Sequence, residues 1–124
     1  MVRIMLACAA GMSTSLLVTK MEKAAAEAGV EAKIWAVPES QAKSLVGEFD
    51  VLLIGPQIKF KFNDFNKWAD GRFPVHVIDM RDYGTMNGAK VFATAMELLE
   101  NHNKSSTMIR KGLSKDLFSF ANKN

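Results

Sequence analysis

Four residues, Val51-Leu52-Leu53-Ile54, form an unbroken apolar run between Asp50 and Gly55-Pro56. A strand that is apolar on both faces has to be covered on both faces, as an inner strand of a parallel sheet is. Three more strands are predicted at residues 2–7, 31–37 and 75–78, the second with Ala32, Ile34 and Ala36 on one side. Helical patterns separate them. Residues 15–28 set Leu16, Leu17, Met21, Ala24, Ala25 and Ala28 on one face, and Gly29 closes the helix. Pro38 and Glu39 open a short helix to about residue 46, where Gly47 stops it. Residues 59–69 fit a helix crowded with Phe60, Phe62, Phe65 and Trp68. Residues 88–100 form a last helix with Val91, Phe92, Ala95, Leu98 and Leu99 inward, whereas residues 79–87 read as an irregular loop.

Strand and helix therefore alternate four times. The fold class this implies is α/β: one domain, a four-stranded parallel sheet with helices on both faces. Right-handed crossovers put all strand carboxyl ends along one edge, where such sheets bind ligands near the switch in strand order. Cys8, Pro56-Gln57 and the loop at 79–83 belong to that edge.

A chain of 124 residues with 48% hydrophobic residues has the core of a single domain. One cysteine excludes an internal disulfide, and His76 and His102 with that cysteine give no zinc spacing, so neither a metal nor another cofactor is expected. The net charge of +3 is uneven: residues 1–101 carry 11 Lys/Arg against 12 Asp/Glu, while residues 102–124 carry five against one. Residues 1–101 are accordingly read as the domain. Residues 102–124 are read as a basic tail, helical or disordered, loop-like over 101–107 and then amphipathic through Ile109, Leu113, Leu117 and Phe120. No basic stripe interleaved with aromatics marks a nucleic-acid partner. The apolar run before Cys8 is shorter than the ~7–15 residues of a signal core, and no stretch approaches the ~20 of a membrane span. A soluble cytoplasmic protein is expected.

The chemistry concentrates at Cys8-Ala9-Ala10-Gly11-Met12-Ser13-Thr14-Ser15. A thiol at a strand end, followed by small and hydroxyl residues and then a helix, faces converging N–H groups and the positive end of the helix dipole. That environment suits a thiolate, a phosphate, or a phosphate bonded to sulfur, and it should lower the thiol pKa from its reference of ~8.5. Gly11 serves either close approach of the backbone to phosphate or an ordinary turn. Ser13, Thr14 and Ser15 are candidates for phosphate hydrogen bonds, and at least one is a candidate helix N-cap. Cysteine phosphatases place arginine six positions after their cysteine to clamp the phosphoryl oxygens. This chain has Thr14 there and no arginine between Arg3 and Arg72. A cysteine that accepts a phosphoryl group and keeps it for a partner matches better than a hydrolase.

Residues 8–18, Gly55-Pro56-Gln57-Ile58, and Val77-Ile78-Asp79 with Tyr83-Gly84 resemble the IIB components of the bacterial phosphotransferase system, in the lactose/cellobiose/diacetylchitobiose branch. The likeness covers about residues 1–101, and the tail departs from the family pattern. The resemblance implies a sheet like that of the low-molecular-weight tyrosine phosphatases. It also implies that Cys8 takes a phosphoryl group from a phosphohistidine of the IIA component and passes it to a β-linked disaccharide entering through the membrane component IIC. IIA, IIC and the sugar are thus the expected partners, with IIC holding the protein at the inner face of the membrane. Pro56, Gln57 and Tyr83 are candidates for the site edge or for partner contact, and Lys59, Lys61 and Lys67 for an acidic partner surface. Two other readings stay open on the residues: a cysteine-dependent phosphatase or arsenate-reductase-like enzyme, and a non-catalytic regulatory module that keeps the loop.

Overall fold

The computed structural model describes the backbone of residues 1–9 and 15–110 and the side chains as far as Asn103. Strands β1 (Val2–Cys8), β2 (Ala32–Pro38), β3 (Val51–Ile54) and β4 (Val75–Val77) form one sheet in the order β2-β1-β3-β4. Every neighbouring pair is parallel. The chain leaves β1 toward β2 on one side and returns to place β3 on the other, so the topological switch lies between β1 and β3. Register aligns the carboxyl ends: Ala7 pairs with Val37 and with Ile54, and Ile54 pairs with Val77.

Side chains alternate across the strands and build two cores. Ile4, Leu6, Ile34, Val51 and Leu53 face one side, under Leu17, Met21 and Ala25 of helix α1 (Ser15–Glu27) and Val91, Phe92 and Ala95 of helix α5 (Gly88–Arg110). Met5, Ala7, Leu52 and Ile54 face the other. There they meet Ala42 of α2 (Glu39–Ala42), Ile58, and Phe65 and Ala69 of α3 (Phe62–Ala69). Each fully buried aliphatic of this kind contributes about 1.5–3 kcal/mol. The four-stranded parallel α/β sheet with helices on both faces is therefore as the sequence implied.

Four local expectations are corrected. Leu16 and Ala28 are exposed, because α1 lays only the narrower stripe of Leu17, Met21, Ala24 and Ala25 on the sheet. Residues 59–69 are not one helix: a 3₁₀ turn, Pro56–Lys61, is kinked at Ile58 (φ −119°, ψ 28°) before α3 starts. Residues 79–87 hold a helix, α4 (Met80–Gly84), capped by Asp79, whose carboxylate accepts the N–H groups of Arg81 at 2.8 Å and Asp82 at 3.3 Å. Those bonds hold the Asp79 carboxyl below its ordinary range. Residues 101–107 are helical rather than loop-like, since α5 runs on to Arg110. No glycine or proline breaks the run from 101 to 110. The His102 ring nitrogen also lies 2.9 Å from the Gly71 carbonyl, which ties the extension to the body. Residues 111–124, the rest of the expected tail, lie outside the described residues.

At the amino edge Arg3 joins β1 to the entry of β3. Its backbone N–H donates to Asp50 Oδ2 at 2.9 Å, Nη2 donates to Oδ1 at 2.8 Å, and Nη1 donates to the Gly47 carbonyl at 3.1 Å. The Arg3 guanidinium hydrogen bond, reinforced by the Arg3 backbone N–H, holds the Asp50 carboxyl below its ordinary range against the opposing effect of burial. A carboxyl with a lowered folded pKa stabilises above its unfolded pKa of ~3.9, and that stability is lost as pH falls through the folded value. Asp50→Asn should therefore be less stable than the parent protein at pH 7, with the gap closing as pH falls below the unfolded carboxyl pKa of ~3.9 and through the lower folded value. Urea titrations across that range measure it.

A Cβ on Gly88 would sit 2.5 Å from the Lys20 carbonyl carbon and 2.6 Å from the Met21 nitrogen, so α5 begins in contact with the backbone of α1. Gly88→Ala should cost roughly 1–3 kcal/mol, because helix backbone cannot swing aside as a side-chain tip can. Gly84→Ala, with open space around its Cβ, should be neutral within about 0.5 kcal/mol. Equilibrium unfolding of the two variants checks the contrast.

Candidate functional site

Cys8 is the last residue of β1, one step beyond Ala7, whose carbonyl accepts the Gly55 N–H at 2.9 Å. It pairs with Pro38 at the end of β2. Cys8 thus lies in the switch crevice, bounded by the end of β2 and by the turn that leaves β3. By strand alternation its side chain shares a face with Ile4 and Leu6, the face that α1 covers. Ala9 falls on the opposite side, against the core of α2 and α3. Helix α1 starts at Ser15, whose carbonyl accepts the Thr19 hydroxyl at 3.0 Å. Ala10, Gly11, Met12, Ser13 and Thr14 lie outside the described residues.

Cys8 is 4% exposed, a more covered thiol than a position at the loop mouth implied.

Pro56 and Gln57 follow Gly55 in the turn after β3: Pro56 is buried and Gln57 exposed. Gly55 has ordinary extended backbone (φ −61°, ψ 143°), so its conformation does not call for glycine. A Cβ on Gly55 would lie 3.0 Å from Gln57 Oε1, 3.6 Å from the Ala7 carbonyl oxygen and 3.7 Å from Cys8 Cα. Tyr83 is placed differently. It packs in the core under α1 and α5, is 8% exposed, and its hydroxyl has no partner among the described residues.

Sequence reasoning missed an ion pair at this edge. Lys61 Nζ reaches Glu39 Oε1 at 2.6 Å, linking the turn after β3 to the end of β2, while Glu39 Oε2 is buried without a hydrogen bond. No local pattern signals a contact between residues 22 apart. Lys61, one of the lysines considered for an acidic partner, is therefore engaged within the protein. Among the described residues no group of three or more His, Cys, Asp or Glu side chains could hold a metal ion, and no helix is long and apolar enough to cross a membrane.

A parallel sheet in the order 2-1-3-4, with cysteine ending the first strand seven residues before the first helix begins, defines the class: the fold of the low-molecular-weight tyrosine phosphatases, shared by phosphotransferase-system IIB domains. Residues 3–94 match the family model described as "PTS system, Lactose/Cellobiose specific IIB subunit", and the chain belongs to that family. It is thereby a phosphotransferase subunit. It is 47% identical over 102 residues to the oligo-beta-mannoside-specific EIIB component of Bacillus subtilis (strain 168), covering 82% of this chain and 99% of that one. It is 46% identical over 102 residues to the cellobiose-specific EIIB component of Lactococcus lactis subsp. lactis (strain IL1403), covering 77% and 94%. The solution structure of a cellobiose-specific IIB component from Borrelia burgdorferi superposes with a TM-score of 0.69 at 38% identity, over 82% of this chain and 94% of that one. A lactose-specific IIB domain from Streptococcus pneumoniae gives 0.70 at 14% identity over 78% and 96%, a likeness of fold alone.

Glu39 has one carboxylate oxygen already buried without a donor, so loss of its lysine leaves the charge poorly compensated. Lys61→Met should destabilise by about 1 kcal/mol, and Glu39→Gln in the same chain should restore most of that. Thermal unfolding of the single and double variants measures both.

Proposed function

We propose that Cys8 is the phosphoryl-carrying residue of this subunit, taking the group from a phosphohistidine of the IIA component and giving it to a sugar delivered by IIC. The observation that supports this most is the position of Cys8: a thiol ending the first strand in the switch crevice, with α1 beginning seven residues later at Ser15. Residues 9–15 are assigned as the phosphate-binding segment, whose backbone N–H groups and the hydroxyls of Ser13, Thr14 and Ser15 are the donors its sequence offers to three phosphoryl oxygens. Fixed dipoles of this kind stabilise an anion without a counter-charge.

The chemistry balances in both steps. In the first, the thiolate attacks phosphorus, an S–P bond forms and the P–N bond breaks. The electron pair stays on the imidazole nitrogen, and the proton given up by the thiol is matched by one gained by the imidazole. In the second, a sugar hydroxyl oxygen bonds to phosphorus, the S–P bond breaks, and the hydroxyl proton is matched by one returning to sulfur. The imidazole is a good leaving group, so acceptance needs no general base of the subunit's own. Loss to water is slow because Thr14 stands where a hydrolase has the arginine that gathers charge in the transition state.

The sugar is assigned as a β-linked disaccharide of the cellobiose or chitobiose kind, supported by relatives described as specific for cellobiose and oligo-beta-mannoside. The working place is the cytoplasmic face of the membrane, beside IIC. Cys8→Ser should abolish label transfer from ³²P-labelled phospho-IIA while circular dichroism and the unfolding midpoint stay near those of the parent. Label retained by the folded variant would refute the assignment. Rapid turnover of a chromogenic phosphate ester by the parent protein would favour a phosphatase instead.

A further inference from the structure

We propose that the Gln57 carboxamide contacts the phosphoryl group on Cys8 and helps to hold it on the sulfur. The inference rests on the role given to Cys8 above and adds a residue from a different strand end to the same site.

Three features of the turn after β3 carry it. The first is direction. An exposed glutamine ordinarily extends into water, but here the side chain folds back over Gly55 toward the end of β1. The point where a Gly55 Cβ would stand is 3.0 Å from Gln57 Oε1 and 3.7 Å from Cys8 Cα. Glycine at 55, unneeded by its own dihedrals, is what leaves room for that fold-back.

The second is rigidity. Pro56 opens the 3₁₀ turn with a fixed φ, and the Ile58 N–H donates to the Gly55 carbonyl at 3.0 Å. Pro56 and Ile58 are both buried, so Gln57 stands exposed between two anchored neighbours. A ligand-contacting group is best carried on a segment of this kind.

The third is unused bonding capacity. A carboxamide offers two N–H donors and an acceptor oxygen. No hydrogen bond among the described residues engages the Gln57 carboxamide. Its oxygen and nitrogen exchange places by a half-turn of the terminal torsion, so an N–H can be presented wherever the oxygen now lies.

A neutral donor also suits a carrier better than a charged one. It satisfies a phosphoryl oxygen without adding the positive charge that would assist attack by water. The Gln57 amide, in the turn after β3, would thus reach the group across the switch crevice from β1.

The test compares the full chain with Gln57→Met, which keeps length and apolar stem but removes the donors, and Gln57→Glu, which keeps shape but adds a negative charge. Gly55→Ala is a third probe. Its Cβ presses on the tip of Gln57, a flexible end that can yield, so the fold survives while the amide is displaced. Each protein is incubated with ³²P-labelled phospho-IIA, and the rate of labelling, the lifetime of the label and the ³¹P chemical shift of the phosphocysteine are recorded. Gln57→Met should slow labelling or shorten the lifetime roughly tenfold or more, as loss of a hydrogen bond to a charged group does, and Gln57→Glu should do so more strongly. Gly55→Ala should fall between Met and the parent, and all three should move the ³¹P resonance. Parent-like rates, lifetimes and shifts in Gln57→Met and Gln57→Glu, with the parent labelled on Cys8, would overturn this inference alone. Equal labelling of the parent and Cys8→Ser would overturn the Cys8 assignment and this inference with it.

Discussion

The parallel pairing of β1 with β3 is the constraint on which the site depends. β1 is hydrogen-bonded on both sides, so its carboxyl end cannot shift without breaking the ladder to β2 or to β3. The Gly55 N–H to Ala7 carbonyl bond, 2.9 Å, closes that ladder one residue before Cys8. A thiol carried there is fixed in position by a strand paired on both sides. The turn after β3 comes close to the same point, since a Cβ on Gly55 would stand 3.7 Å from Cys8 Cα.

That placement connects fold to chemistry. In sheets of this topology the strand ends at the switch face outward between diverging connections, and a helix that begins there aims its N–H groups into the crevice. Cationic side chains are scarce in the arrangement: Lys61 is engaged by Glu39, and no arginine occurs in residues 4–71. In the carrier role proposed for Cys8, an anion is then held by dipoles rather than by charge. Dipoles stabilise a bound phosphoryl group while contributing less than an arginine to the developing charge of hydrolysis. A carrier needs that distinction, since the group has to outlast the interval between one protein and the next.

The strands were legible in the sequence because their burial is written in apolar runs such as Val51 to Ile54, and α1 because Gly29, at φ +72°, ends it where the apolar stripe ends. Helix α4 was not legible: five residues are too few to display a period, and one capping carboxylate on Asp79 makes them helical. The polar residues after Glu100 read as a loop because the tertiary contact of His102 with Gly71 cannot be inferred from neighbours in the chain. Cys8, Pro56 and Gln57 were singled out in the sequence by their positions after strands, and the structure puts them after β1 and β3. The burial of Tyr83 follows from packing between segments tens of residues apart, and the fold-back of Gln57 over Gly55 is a side-chain conformation that no sequence pattern records.

Mapping the phosphoryl group chemically is the most direct measurement of whether Cys8 carries it. After reaction with phospho-IIA, tryptic digestion at neutral pH should yield the peptide of residues 4–20 heavier by one phosphoryl group. Fragmentation should place that mass on Cys8, with Ser13, Thr14 and Ser15 unmodified. A phosphoryl group found on one of those hydroxyls, or on a histidine elsewhere in the chain, would contradict the central claim.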